Sequence, residues 1–251
     1  KNLMVSIMAP AKLTLSLEII GVRTDGYHLI KAEMVSLDLI DTLQISEGDE
    51  IEVQTDYPYQ PWEFPEETSV PEDDNNLVAK ALTLTGRKVA VRINKRIPPG
   101  TGLGGGSSNA AAVLRWDKYE DLKCAAQIGA DVPFCINGGR ALVSGIGENI
   151  KKMSYKKQDF TLLIPPFSCS TKAVYEHWDH LGGPKGDHGN DLEPAATSLY
   201  PELNKWRDLL GDATGKQPRL AGSGSTWFVE GAFPKEGLHV VSSIPRQNFG
   251  D

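Results

Sequence analysis

Hydrophobic and polar residues alternate strictly in KLTLSLEII, where Leu13, Leu15, Leu17 and Ile19 interleave with Thr14, Ser16 and Glu18. A period of two is what a strand with one buried face requires, because successive side chains point to opposite sides. Further strands are read in AEMVSLDLIDTLQI, in DEIEVQTD, and in KVAVRINKRI through Val89, Val91 and Ile93. The opening region therefore reads as antiparallel sheet, with GVRTDGYHLI as a turn-rich connection built on Asp25-Gly26. Pro58, Pro61, Pro65 and Pro71 punctuate an acidic stretch that reads as an exposed loop. Beyond it, NNLVAKALTL predicts a helix capped by Asp73 or Asp74.

Next comes PPGTGLGGGSSNAAAVLRW, residues 98–116, with glycines placed between a strand and a helix. GADVPFCINGGRALVSGIGE then supplies a turn, a strand and another glycine-rich bend. Around residue 150 the character changes. YKKQDFTLLIPP reads as a strand, STKAVYEHW as a short capped helix and SLYPELNKWRDLLG as one amphipathic helix. RLAGSGSTWFVEG is a small-residue loop entering a strand, and LHVVSSI is the last strand. A boundary near 148–158 divides the chain into lobes 1–150 and 151–251.

Composition alters this picture little. With 251 residues, 40% hydrophobic, 24% charged and 8% aromatic, the chain is an ordinary globular one of one large or two smaller domains. A net charge of −7 argues against general nucleic-acid binding, which relies on clustered Lys and Arg, so an anionic ligand must be held locally. No apolar run approaches the roughly 20 residues of a bilayer span. KNLMVSIMAPAK lacks the basic and apolar regions of a secretory leader, so the expectation is a cytoplasmic protein with no membrane partner. A chain that opens on Lys1 reads as a trimmed form of its gene product. Cys124, Cys135 and Cys169 are odd in number and lack CxxC spacing, which fits reduced core thiols rather than disulfides or a zinc site.

Gly100, Gly102 and Gly105 satisfy GxGxxG, but the strand before them belongs to an antiparallel region, which a Rossmann reading does not allow. A Walker A loop also fails, because Ser107 and Ser108 stand where a lysine is needed. The physics common to such loops still applies. Glycines let backbone N–H groups approach an anion, and the first turn of the following helix offers unpaired N–H groups with a partial positive charge. The bland alternative is a glycine turn serving only close packing.

Three segments, in order, are similar to the three motifs of the GHMP kinase superfamily. They are APAKLTLSLEIIGVRTDGYHLI, then KRIPPGTGLGGGSSNAAAVL with GADVPF after it, then RLAGSGSTWFVEG. DGYH together with GADVPF most resembles the branch that acts on a cytidine-diphosphate-linked methylerythritol. The resemblance runs over most of the chain. It implies an α/β fold of the α+β type, two lobes of mixed or antiparallel sheet with helices, and an active site in the interlobe cleft. It also implies transfer of the γ-phosphoryl group of ATP, with Mg2+, to the tertiary 2-hydroxyl of the methylerythritol unit, a step of the non-mevalonate route to isoprenoid precursors. A monomer or weak homodimer is expected. Carried over residue by residue, Lys12 and Asp131 become the catalytic pair. Pro98, Pro99, Gly100, Thr101, Gly102, Leu103, Gly104, Gly105, Gly106, Ser107 and Ser108 become the phosphate loop, with Ser107 as the Mg2+ ligand. Tyr27 and His28 become the cytosine contacts, Tyr175 stacks on the other face, and Thr14, Gly222 and Ser223 touch substrate. Thr14 stands where the family has Asn, so a hydroxyl replaces an amide. The stretches between Ala112 and Gly129 and after Phe233 are shorter than in the family.

These roles are chemically coherent. Phosphoryl transfer needs a positioned hydroxyl, an acceptor for its proton and positive charge near the transferring oxygens. An opposite charge within about 4–6 Å keeps a carboxylate ionised, so Lys12 serves both Asp131 and the phosphoryl group. Read singly, Lys12 is equally a solvated strand lysine, Asp131 a cap before Val132-Pro133, Tyr27 and His28 loop residues, and Gly222 to Ser225 a plain tight turn. HWDHLGGPKGDHGND gathers His177, His180, Asp187, His188 and Asp191, but its glycines and proline predict a mobile, solvent-exposed loop rather than a metal site.

Overall fold

In a computed structural model, residues 4–58, 70–73 and 75–246 are described; Pro61, Pro65 and Asp74 lie outside the described residues. The alternating segments become β1 (Val5–Val22) and β2 (His28–Ser46), a long antiparallel pair. The other edge of β2 takes three antiparallel partners in succession. β5 (Arg140–Gly145) runs along Ile30–Val35, β10 (His239–Ile244) meets Ser36–Leu37, and β4 (Ala90–Lys95) runs along Thr42–Ser46. β3 (Ile51–Thr55) joins β4 in parallel and β6 (Asn149–Lys152) joins β5 antiparallel. From β10 the sheet continues through β7 (Asp159–Leu163) and β9 (Trp227–Glu230) to β8 (Arg219–Leu220).

Helices α1 (Leu77–Thr85), α2 (Gly105–Trp116), α3 (Leu122–Ile128) and α4 (Val132–Asn137) belong to the first part of the chain. The second part carries α5 (Thr171–His180), α6 (Glu193–Leu199) and α7 (Leu203–Thr214). Three local expectations are corrected. α1 is capped by Asn76, whose side chain accepts from the Val78 amide, while Asp73 closes the preceding turn on the Asn75 amide. The turn expected in GADVPF is α4, where Pro133 supplies a ready-made helical φ in the first turn. SLYPELNKWRDLLG is split in two, because a residue before proline is pushed out of the helical region; Tyr200, before Pro201, has φ −122 and ψ 76.

The core forms two clusters, and the second one sets up the site. It joins Leu13 and Leu15 of β1, Leu37 and Leu39 of β2, Phe160 and Leu162 of β7 and Phe228 of β9. Leu103 from the glycine loop and Ala221 from the second small-residue loop are part of the same cluster. Burying a leucine side chain contributes about 1.5–3 kcal/mol, so Leu103 anchors its otherwise pliable loop. Cys135 and Cys169 are buried, Cys124 is exposed, and all three are free thiols. No helix among the described residues is long and apolar enough to cross a membrane.

Candidate active site

β1 alternates as its sequence requires, with Ser16 and Glu18 exposed, yet Lys12 and Thr14 on the polar face are 4% and 2% exposed. Two loops cover them. The glycine loop lies against Lys12, whose backbone N–H donates to the Leu103 carbonyl at 2.9 Å. A Cβ built on Gly104 would stand 2.7 Å from Lys12 Cγ, and one on Gly222 3.6 Å from Lys12 Nζ and 3.8 Å from Thr14 Oγ1. At Gly104 the absence of a side chain is what lets the backbone close over the lysine, whereas at Gly222 the space suffices and it is the φ of 59 that favours glycine. Thus confined, the ammonium donates to Thr14 Oγ1 at 3.0 Å and pairs with Asp131 Oδ2 at 3.1 Å. The side chain of Asp131 remains 29% exposed.

Asp131 occupies the N-cap position of α4, but its carboxylate makes no capping hydrogen bond. It is directed to Lys12 instead, which answers the reading of a simple cap. Two titratable neighbours stay neutral. Burial pushes the Cys135 thiol up to about 12, with Asp131 adding to the effect, and burial followed by Asp131 raises the Tyr175 phenol.

The glycine loop divides into an anchored part and an open end. Thr101 Oγ1 donates to Pro98 O at 2.7 Å, Ser168 Oγ to Pro99 O at 3.0 Å, and the Cys169 amide to Gly100 O at 3.0 Å. The Thr226 amide donates to Thr101 O at 3.0 Å, which locks the two loops together. Gly100, Gly102 and Gly104 take φ of 67, 81 and 68, backbone that favours glycine. The Ser108 hydroxyl is spent on Pro10 O at 2.6 Å. At the open end, Gly104 caps α2 without a side-chain bond, so the amides of Gly105, Gly106 and Ser107 lie in the unpaired first turn. Ser107 is half-buried there. Unpaired amides at a helix start are a general anion-binding feature, and Gly105 has no room for a side chain, its Cβ position lying 2.9 Å from Lys95 Nζ and 3.0 Å from Ile97.

The second loop is a tight turn in which Ala221 N donates to Thr226 O at 2.9 Å and Gly224 N to Ala221 O at 3.0 Å. Ser223 Oγ meets Thr171 Oγ1 at 2.9 Å, at the start of α5. That helix brings Tyr175 against His28, ring centroids 4.7 Å apart, with Trp178 edge-on at 5.6 Å. Tyr27 is 52% exposed, with the Arg23 guanidinium 5.7 Å from its ring centre.

The HWDHLGGPKGDHGND segment meets its expectation of solvent exposure only in part: His180 and Asp187 are exposed, while its end is packed down. His177 pairs with Ser198 and His188 with Glu193, while Asn190 and Asp191 are buried. Asp191 accepts from the Ile19 amide at 2.9 Å and from Lys185 Nζ at 2.8 Å. Asn190 Nδ2 donates to Leu220 O at 3.0 Å and Gly222 O at 2.7 Å, holding the second loop onto β1. Backbone bonds from Leu17 to Gly189 and from Asp191 back to Leu17 seat the segment on β1 through a single isolated parallel bridge, Leu17 to Asn190. Glycine and proline make the segment turn, while Asn and Asp satisfy the backbone groups it covers; composition alone registers only the turning. Among the described residues no group of three His, Cys, Asp or Glu could hold a metal ion.

A glycine-rich helix start beside an enclosed lysine–carboxylate pair on a mixed sheet fits the GHMP class of small-molecule kinases, and residues 76–139 match the GHMP kinases N-terminal domain. A 4-diphosphocytidyl-2-C-methyl-D-erythritol kinase of Thermoanaerobacter pseudethanolicus is 32% identical over 260 residues, covering 89% of this chain and 86% of that one. The enzyme of the same name from Clostridium kluyveri is 41% identical over 261 residues, covering 88% and 89%. The crystal structure of a 4-(cytidine 5'-diphospho)-2C-methyl-D-erythritol kinase superposes with TM-score 0.71 at 25% identity, covering 95% of this chain and 99% of that one. A homoserine kinase from Cytophaga hutchinsonii shares the fold at 15% identity and TM-score 0.59, covering 97% and 95%. The chain belongs to the 4-diphosphocytidyl-2-C-methyl-D-erythritol kinase family and is a kinase.

Proposed function

We propose that this kinase transfers the γ-phosphoryl group of ATP to the 2-hydroxyl of 4-diphosphocytidyl-2-C-methyl-D-erythritol. The observation that carries the reading is the enclosed Lys12–Asp131 pair beside the unpaired first turn of α2. In this reading the acceptor hydroxyl gives its proton to Asp131 as its oxygen bonds to the γ-phosphorus, and the β–γ bridging bond breaks with its electron pair leaving on ADP. Lys12 keeps the carboxylate ionised and supplies the positive charge that the loop lacks, an effect strongest where water is excluded. The amides of Gly105, Gly106 and Ser107 receive phosphate oxygens, with Pro98 to Leu103 holding the loop in shape and Ser108 fixing α2 to β1. Ser107 would hold Mg2+ together with the nucleotide's own phosphates, and the ion would offset their charge.

In this reading Thr14, Gly222 and Ser223 touch the acceptor; the closeness of Thr14 and Gly222 to Lys12 supports it for those two. Tyr27 and Tyr175 offer their faces to the cytosine ring and His28 meets its polar edge, with Tyr175 also packed against His28. Stacking a base on an aromatic contributes about 1–3 kcal/mol. Residues 1–150 form the nucleotide lobe and 151–251 the acceptor lobe. The pairing of β1–β6 among themselves and of β7–β10 among themselves, joined at β10–β2, supports that division. A cytoplasmic monomer or weak homodimer completes the reading.

Incubation with Mg-ATP and a panel of acceptors tests it by ADP release and product mass. Phosphorylation of the cytidylyl compound is expected. Turnover of homoserine or mevalonate without it would overturn the assignment.

A further inference from the structure

His28 Nε2 lies 2.8 Å from Asp179 Oδ1, a contact from β2 to the last turn of α5. An ionised carboxylate only accepts hydrogen bonds. In the neutral imidazole this contact therefore places the proton on Nε2 and leaves Nδ1 as a lone-pair acceptor. Nδ1 has no hydrogen-bond partner among the described residues. The ring is held by Tyr175 and Trp178 of the same helix, and the His28 side chain is only 11% exposed against 47% for Asp179. Orientation and tautomer are thus set together by one face of α5.

We propose that Asp179 is a specificity-determining positioning residue: it fixes His28 as the Nε2–H tautomer, so that Nδ1 presents an acceptor to the exocyclic amine of cytosine. This rests on the functional reading above, in which His28 meets the pyrimidine. Cytosine and uracil differ at that edge by a donor amine against an acceptor carbonyl. With Nδ1 unprotonated, cytosine forms a hydrogen bond and uracil sets two lone pairs against each other. Sites built around a hydrogen bond reject ligands that cannot make it by factors of up to about 10⁴–10⁵. Without the carboxylate the imidazole is free to move its proton to Nδ1, which inverts the preference.

Two measurements test this, one of them independent of substrate. Long-range 1H–15N spectra of His28 in the substrate-free protein at about pH 8 report the tautomer, with the resonance assigned through H28N. Nε2–H is expected in wild type and in Asp179→Asn, whose amide oxygen also accepts, and a mixture in Asp179→Ala. The second measurement is kcat/KM for the cytidine- and uridine-diphosphate-linked methylerythritols with Mg-ATP. The preference for cytidine is expected to fall at least about 10-fold in Asp179→Ala, through KM more than kcat, and to be largely kept in Asp179→Asn. An Nδ1–H tautomer in wild type overturns the proposal without any variant. So does an unchanged cytidine preference in Asp179→Ala, since a merely structural role would lower both rates together. If wild type phosphorylates neither compound, the functional reading fails, and the tautomer assignment is decided by the spectra.

Discussion

Lys12 Nζ and Asp131 Oδ2 stand 3.1 Å apart, one on the first strand and the other at the start of α4 beyond the glycine loop. The nearly enclosed lysine has Thr14 and Asp131 as side-chain partners, so its ammonium is held in one place with one carboxylate to serve.

Removal of either member should therefore act on the chemical step. Lys12→Ala and Asp131→Asn are each expected to lower kcat by about 10²–10⁴, the range for a lost acid–base or charge-stabilising group. Nucleotide affinity should change only a few-fold, because the α2 amides are untouched. The double variant should be little worse than either single one, since the two groups act as a unit. Steady-state kinetics and calorimetric binding of an unreactive ATP analogue check this. Near-normal turnover in both single variants would remove the pair from the mechanism.

The interlock of the two loops makes Gly102 intolerant of a side chain. At φ 81 a Cβ would collide with the Ala221 carbonyl and lie 3.0 Å from the Gly224 carbonyl, both rigid backbone. Gly86, at φ 69, has nothing within 4 Å of its Cβ position and isolates the strain of the left-handed backbone alone. Gly86→Ala should lower stability by about 1–2 kcal/mol and leave the KM for ATP unchanged. Gly102→Ala should lower it further and raise that KM as well. Thermal melts with ATP titrations read both effects, and equal behaviour of the two variants would refute the interlock.

Beneath the loop, Asp41 and Lys95 form an ion pair sealed from solvent. Asp41 also accepts from the Asn109 side chain at 2.9 Å and from the amides of Arg96 and Ile97 at 2.6 and 2.8 Å, which ties β2, β4 and α2 together. Burial lowers the pKa of Lys95, and Asp41 pulls it back up. Removing one partner of such a pair strands a buried charge, so Lys95→Met should cost about 3–5 kcal/mol. Asp41→Asn in the same chain restores neutrality and keeps an acceptor for the two amides, so the double variant should be more stable than Lys95→Met alone. A double-mutant cycle in urea decides it, and simple additivity would sink the claim.

Much of this was readable from the chain because single residues carried it. The alternation of Leu13, Leu15, Leu17 and Ile19 marked the buried residues of β1, though the first two join one core cluster and the last two the other, and Gly104 before Ser107 marked the start of α2. Periodicity could not foresee that Lys12 and Thr14 would be covered, because the cover comes from loops distant in sequence. Asn190 escaped for a related reason. A buried amide that bonds two carbonyls on another loop looks, in sequence, like any asparagine in a glycine-rich turn. The resemblance of DGYH pointed to His28, but the carboxylate that orients the ring sits on α5 and was indicated by nothing local.

His239 of β10 gives a pH signature. Its Nε2 is enclosed without a partner among the described residues, and burial lowers its pKa below the ordinary value of 6.5. Between the lowered value and 6.5 the unfolded chain holds a proton that the folded one does not, so stability rises with pH through that window. Above 6.5 both forms are neutral and the contribution is complete; acidification below 6.5 removes it progressively. Urea melts from about pH 7 to pH 5 should therefore show a loss from this group with a slope of at most about 1.4 kcal/mol per pH unit. His239→Leu should flatten that part of the profile while leaving neutral-pH stability close to wild type, because the enclosed nitrogen is replaced by carbon. Parallel profiles for the two proteins would show that the acid sensitivity arises elsewhere.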